Sequence, residues 1–244
     1  MYIGKEMKKE RNSKKAEVIG NSKTVLALRV LDVLERHLQG KLTHLGREKQ
    51  KVASSEVQAV AFRVLIGTIL SHRTKDERTE AASQALLSQY PTPEKLAAAP
   101  IEKIRELIKP VGFYNSKAQY VKKCAGELVE RFGANVPQTM EELTGLTGVG
   151  RKTAGCVIAY AFNLPAIPVD SHCHTVSNRL GLVKTSTPEK TEQALMEIVP
   201  KERWAQVNEL FVLHGQATCA PVSPFCSKCP LNEMCPRVGV KTSR

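Results

Sequence analysis

Leu146-Thr147-Gly148-Val149-Gly150-Arg151-Lys152-Thr153-Ala154 is the stretch on which the fold turns. Two glycines one residue apart let the chain reverse sharply and point backbone N–H groups outward at the start of the next helix. Such a nest holds a phosphate without reading base sequence, which makes Gly148, Val149 and Gly150 candidate nucleic-acid contacts. Leu146 and Val149 supply the apolar side chains that plug the hairpin into a core. Many helix–turn–helix corners carry a G-x-G and bind nothing, so the lysine that follows carries the weight. The positive end of a helix dipole disfavours an ammonium, and a partly desolvated Lys152 in that first turn is expected to have a lowered pKa and to serve as a nucleophile. The plainer alternative is a lysine that contacts phosphate.

Working outward, apolar residues recur at helical spacing on both sides of the hairpin. Val25, Leu28, Leu31, Leu34 and Leu38 predict a helix over Thr24–Leu38. Glu56–Ser71 is apolar nearly all round and predicts a buried central helix. Shorter helices are expected over Glu77–Tyr90, Pro93–Ala99, Ile101–Ile108, Ser116–Phe132, Thr139–Leu143, Arg151–Phe162, Ser171–Leu180, Pro188–Val199 and Glu202–His214. Thr92-Pro93 and Thr187-Pro188 each place a capping hydroxyl before a first-turn proline. No alternating strand pattern is present, and aromatics at 5% disfavour a β-sandwich or barrel. The expected fold class is all-α.

The 244 residues suffice for one large domain or two modest ones, and no apolar run approaches a membrane span. A net charge of +12 points to a polyanionic partner, most simply nucleic acid, although basic character also serves solubility. Residues 1–23 carry seven Lys/Arg against three Glu, a net +4, and are expected to form a disordered electrostatic arm. They contain no apolar core, so no secretory signal is read there and an intracellular location, cytoplasm or nucleoid, is expected. Gln39–Ser55 reads as a polar, Lys-rich linker.

Cys219, Cys226, Cys229 and Cys235 stand at the spacing C-x6-C-x2-C-x5-C. Two disulfides would need an oxidising compartment. Structural zinc favours paired C-x2-C knuckles, whereas only Cys226 and Cys229 form one here. Four thiolates at irregular spacing in a short loop also suit a [4Fe–4S] cluster. Spacing alone leaves iron–sulfur, zinc and disulfides open, with iron–sulfur ahead. The remaining Cys124, Cys156 and Cys173 read as buried thiols.

Eighteen residues after Lys152 comes Val169-Asp170-Ser171-His172, in which Asp170 reads first as an N-cap. Together LTGVGRKTA, the step to VDSH, and CAPVSPFCSKCPLNEMC resemble the endonuclease III family of DNA glycosylases, within the helix-hairpin-helix superfamily. LSHRTKDE (Leu70–Glu77) and VGFYNSKA (Val111–Ala118) extend the resemblance, which runs roughly from Ala53 to Arg237. It implies a [4Fe–4S] cluster on the four cysteines. It also implies that Lys152 attacks C1′ of a damaged nucleotide, displaces the base and forms a Schiff base, with Asp170 handling protons or stabilising the cationic sugar. β-Elimination then nicks the strand 3′ to the lesion. A lysine here argues against the adenine-specific and thymine-mismatch branches, where this position resembles Ser or Tyr.

The resemblance further implies that Arg73 and Phe113 fill the gap left by an extruded base, where the family usually has glutamine and leucine. A phosphate-contacting arginine and a core phenylalanine are the competing readings. Thr147 stands where the hairpin usually carries proline. Lys228 is expected to meet phosphate from the cluster loop, and Arg179 to reach DNA or pair with an acid. An Asp170–His172–His174 metal site is a weaker alternative. The architecture implied has a basic tail (1–23), an N-terminal helix and linker (24–52) packing on the cluster domain, a helical hairpin domain (53–168), a cluster domain (169–237) and a C-terminal tail (238–244). The active site is expected in the cleft between the two domains. The expected protein is a monomeric bifunctional glycosylase/lyase acting on damaged pyrimidines in double-stranded DNA. A non-catalytic iron–sulfur DNA-binding or redox-sensing module, or a mismatch-specific glycosylase on the same fold, are the alternatives.

Overall fold

In the helix over residues 22–37, here α1, the buried side chains are Ala27, Val30, Leu31 and Leu34, followed by Leu38 just beyond its end. The stripe differs from the one read in the sequence: Val25 is exposed and Leu28 half-buried. Steps of three residues drift backward around a helix of 3.6 residues per turn, so Val25 rotates out while Ala27 and Val30 rotate in. The computed structural model describes residues 22–42 and 54–244. Apart from residues 22–23 the expected basic arm lies outside the described residues, as does the linker from 43 to 53. Among the described residues the structure is helical, with no strand, and no helix is long and apolar enough to cross a membrane.

The described residues fall into two compact units, one of 54–168 and the other of 22–42 with 169–244. In the first, α2 (Ser54–Ser71) buries Phe62, Leu65, Ile66, Ile69 and Leu70 and is the central element. Each such side chain contributes roughly 1.5–3 kcal/mol on leaving water. Around it stand α3 (Asp76–Gln89), α4 (Pro93–Ala98), α5 (Ile101–Leu107), α6 (Tyr114–Phe132), α7 (Met140–Thr144) and α8 (Arg151–Cys156). α4 and α5 pack on α6, while α3, α6 and α8 pack on α2. The Thr92 hydroxyl accepts from Lys95 N–H before Pro93, as the hydroxyl-before-proline signal required, and Thr139 caps α7 by accepting from Glu142 N–H.

The single helix expected over Arg151–Phe162 is divided. After Cys156 the bonding changes to i→i+5 over Val157–Ala161, with Phe162 N–H donating to Val157 O at 3.3 Å. Asn163 then takes a left-handed φ of 51° and Pro165 follows, so the last turn widens and stops instead of continuing as α-helix.

The second unit holds α1, α9 (Ser171–Arg179), α10 (Pro188–Ile198) and α11 (Trp204–Ala217). α9 lies against both α10 and α11. Arg203, just before α11, donates to Asp32 at 3.1 Å and Glu35 at 3.2 Å on α1. Both carboxylates are partly exposed, so this pair fixes orientation more than it adds stability. Beyond α11 the chain runs as an irregular loop that carries the four cysteines.

Candidate functional site

The hairpin forms between α7 and α8. Leu146 and Val149 are buried, and Val149 N–H donates to Leu146 O at 3.1 Å to close the turn. Gly148 adopts φ +79°, and a Cβ there would come within 2.9 Å of Tyr120 Cβ, so the position requires glycine on two grounds. Gly150 is the exposed N-cap of α8, and Lys152 in the first turn is half-buried.

Arg73 and Phe113, forty residues apart, come together: the guanidinium lies 5.8 Å from the ring centroid. Phe113 is 64% exposed, which rules out the core reading. Both residues are left-handed, with φ 52° and 57°. That conformation costs a non-glycine residue on the order of 1 kcal/mol or more and persists where the surroundings impose it. Lys117, a residue the sequence did not single out, binds the chain on both sides of Arg73. The residue is 4% exposed, and its ammonium donates to Leu70 O at 2.7 Å, His72 O at 2.6 Å and Thr74 Oγ1 at 3.0 Å. Burial pulls its pKa below the usual lysine value. Thr74 Oγ1 also accepts from Gly112 N–H, and a Cβ on Gly112 would meet Arg73 O at 2.8 Å. The Arg73 and Phe113 segments thus form one latched surface.

Lys117→Met keeps most of the side-chain volume but leaves the carbonyls of Leu70 and His72 without this donor. Urea denaturation should show a loss of about 2 kcal/mol, the usual cost of stranding buried acceptors. An unchanged midpoint would exclude the latch. Sequence reasoning missed Lys117 because a lysine on an amphipathic helix ordinarily reads as surface.

His72 was also missed. Its Nε2 lies 3.2 Å from Thr153 Oγ1, joining the loop after α2 to the residue beside Lys152. Partial burial of the ring, then the charges of Lys152 and Lys117, hold its pKa below the usual histidine value, which favours the neutral ring. This places the loop that carries Arg73 against the first turn of α8.

Asp170 belongs to the other unit, where it caps α9. Its Oδ1 accepts from Cys173 N–H at 2.8 Å, which fixes the carboxylate at the helix start. Cys173 is fully buried, and its thiol pKa is raised chiefly by that burial. His174 Nδ1 meets Thr191 Oγ1 at 2.6 Å, within α9 and α10. Among the described residues no group of three or more His, Cys, Asp or Glu is gathered tightly enough to hold a single metal ion.

Cys219, Cys226, Cys229 and Cys235 are free thiols that line one cavity, together with Val176, Leu180, Phe225 and Val240. N–H groups face the sulfurs: Arg179 Nη1 donates to Cys219 Sγ at 3.3 Å and Arg237 N to Cys235 Sγ at 3.4 Å. His214 Nε2 lies 3.7 Å from Cys229 Sγ. Burial raises the pKa of Cys229 and Cys235, and the neighbouring sulfurs add to it. Arg179 takes neither expected role, since its guanidinium donates to the carbonyls of Cys219, Ala220 and Pro221 and holds the loop. Lys228 is exposed on that loop.

The family model described as HhH-GPD superfamily base excision DNA repair protein matches residues 66–201. Endonuclease III of Thermotoga maritima is 48% identical over 174 residues, covering 71% of this chain and 82% of the relative. Endonuclease III of Synechocystis is 40% identical over 175 residues, covering 71% and 80%. A solved structure of a trapped endonuclease III–DNA covalent intermediate, in an estranged-adenine complex, superposes with a TM-score of 0.76 at 31% identity, covering 88% of this chain and 96% of that one.

Proposed function

The chain belongs to the HhH-GPD superfamily of base excision DNA repair proteins and, within it, to the endonuclease III family; from that premise we propose that it is a bifunctional DNA glycosylase/AP lyase. The observation that carries the lyase half is a lysine, Lys152, half-buried in the first turn after the hairpin, where the neighbouring Thr153 Oγ1 lies 3.2 Å from His72 Nε2. The Lys152 amine attacks C1′ as the base leaves, an imine forms with the opened sugar, and loss of the proton at C2′ expels the 3′ phosphate. Asp170 supplies the negative charge that the cationic sugar requires or moves protons at that centre. Oxidised or ring-damaged pyrimidines are the substrate class, because weakened pairing lowers the cost of extrusion. Arg73 and Phe113 occupy the gap in the duplex, the hairpin N–H groups of Gly148 and Gly150 hold a phosphate while Val149 N–H closes the turn on Leu146 O, and Lys228 meets the DNA backbone. The enzyme acts as a monomer on double-stranded DNA inside the cell.

The cysteine loop suits a [4Fe–4S] cluster: the donor set is four thiolates, they share one cavity, and N–H groups face sulfur. Cys219, Cys226, Cys229 and Cys235 would hold it. When bound, the cluster supplies a rigid tether for a loop with few apolar residues of its own. The purified protein should be brown, with a broad violet–blue absorbance and about four irons per chain by elemental analysis; stoichiometric zinc in anaerobically prepared protein would overturn this assignment.

A panel of duplexes carrying thymine glycol, dihydrouracil, an abasic site, uracil or a T·G mismatch tests the enzymatic reading, with base release and strand cleavage scored separately. Both activities should appear on the first two substrates. Base release without cleavage, or activity confined to the mismatch, would contradict it.

A further inference from the structure

Thr147 breaks the hairpin pattern at a position where a proline ring would fix the backbone, and its surroundings contain a replacement. Its N–H donates to Glu127 Oε2 at 2.7 Å, and its hydroxyl donates to Glu127 Oε1 at 2.7 Å. Both carboxylate oxygens are thus used on one residue, in short charge-assisted bonds. A proline at 147 would lack the first donor and the second.

Glu127 sits on a face of α6 that seats the whole turn. Tyr120, seven residues earlier, packs against Gly148 so closely that a Cβ there would lie 2.9 Å from it. Arg131, four residues later, donates to Gly145 O at 3.2 Å. Spacings of seven and four place all three on one side of the helix. The hairpin is therefore held at Gly145, Thr147 and Gly148 by one rigid element.

We propose that the Glu127–Thr147 clasp is the positioning device of the phosphate-binding hairpin, performing in this chain the restraint that a proline ring performs. The inference rests on the DNA-binding role proposed above for Gly148 and Gly150. Glu127 does not touch the nucleic acid; it fixes the φ and ψ of the residue before Gly148, so that the N–H groups of the nest start in their binding orientation. A carboxylate near a phosphate site is repulsive on charge alone. Its presence is explained by geometry, and the two effects predict opposite results on mutation.

Glu127→Gln is the charge control. The amide oxygen accepts the Thr147 N–H and the amide nitrogen donates to the hydroxyl, so the clasp survives without its charge. Glu127→Ala removes the clasp. Thr147→Pro removes both donors while stranding the carboxylate, and Thr147→Pro/Glu127→Ala replaces one restraint with the other. Affinity for an abasic-analogue duplex, measured by anisotropy, and the single-turnover cleavage rate at saturating DNA separate binding from chemistry. Glu127→Ala should weaken binding about three- to tenfold, the worth of one or two such hydrogen bonds. Its saturating cleavage rate should stay within about twofold, since chemistry is untouched. Glu127→Gln should bind as wild type or tighter, Thr147→Pro should bind more weakly, and the double variant should recover most of the loss.

Tighter binding by Glu127→Ala, or a double variant no better than Thr147→Pro alone, would overturn the proposal. Loss of helical circular dichroism in parallel with binding in each variant would also overturn it, by making the clasp a fold element. A wild-type protein that fails to bind duplex DNA would instead defeat the functional reading itself.

Discussion

Lys152→Gln should yield a folded protein that still binds abasic duplex but cleaves it at least about a thousandfold more slowly, because an amide cannot form the imine that β-elimination needs. Lys152 is half-buried in the first turn of α8, flanked by the exposed Arg151 and the buried Thr153. Glutamine is tolerated in a helix at a cost of a few tenths of a kcal/mol, so stability should change little. The check is a gel assay of strand cleavage at saturating enzyme, with anisotropy to confirm binding. Retention of cleavage within tenfold of wild type would remove Lys152 from the reaction.

The second large effect belongs to Asp170, where structure and proposed chemistry can be separated. Oδ1 caps α9 through Cys173 N–H at 2.8 Å. Asparagine caps as well as aspartate, so Asp170→Asn should keep the helix start while removing the charge. Base excision on thymine glycol duplex should then fall about 10²- to 10⁴-fold, the usual range for losing a proton-handling group. Asp170→Ala should add a stability loss of about 1 kcal/mol from the missing cap, which thermal melts would resolve. Equal melting temperatures for the two variants would show that the cap carries no weight. Normal excision by Asp170→Asn would show that the charge does not act in the chemistry.

Much of this was legible in the chain because the signals are local. A hydroxyl before a first-turn proline reads as a helix start, and Thr92 and Thr187 each cap as expected. Leu146 and Val149 plug the hairpin, and Asp170 caps α9. What the sequence hid was long-range and polar. Lys117 reaches carbonyls 45 and 47 residues away, Glu127 grips Thr147 at a separation of 20, and Arg179 reaches Cys219 at 40. No periodicity encodes such bonds, since each joins a side chain to a loop whose path only the tertiary fold defines. The pairing of Arg73 with Phe113 was hidden for the same reason: a left-handed backbone at either position has no local marker in a residue other than glycine or asparagine. The π-turn after Cys156 was missed because Val157–Ala161 carries the same apolar residues that an uninterrupted helix would.

The claim on which the rest depends is that Lys152 becomes covalently attached to the sugar. The direct measurement is borohydride reduction during reaction with an abasic duplex, followed by nuclease and protease digestion and mass spectrometry of the cross-linked peptide. A reduced sugar adduct on Lys152, absent from Lys152→Gln, is the predicted result. An adduct on another amine, or no adduct from a wild-type protein that nevertheless cleaves the strand, would contradict it.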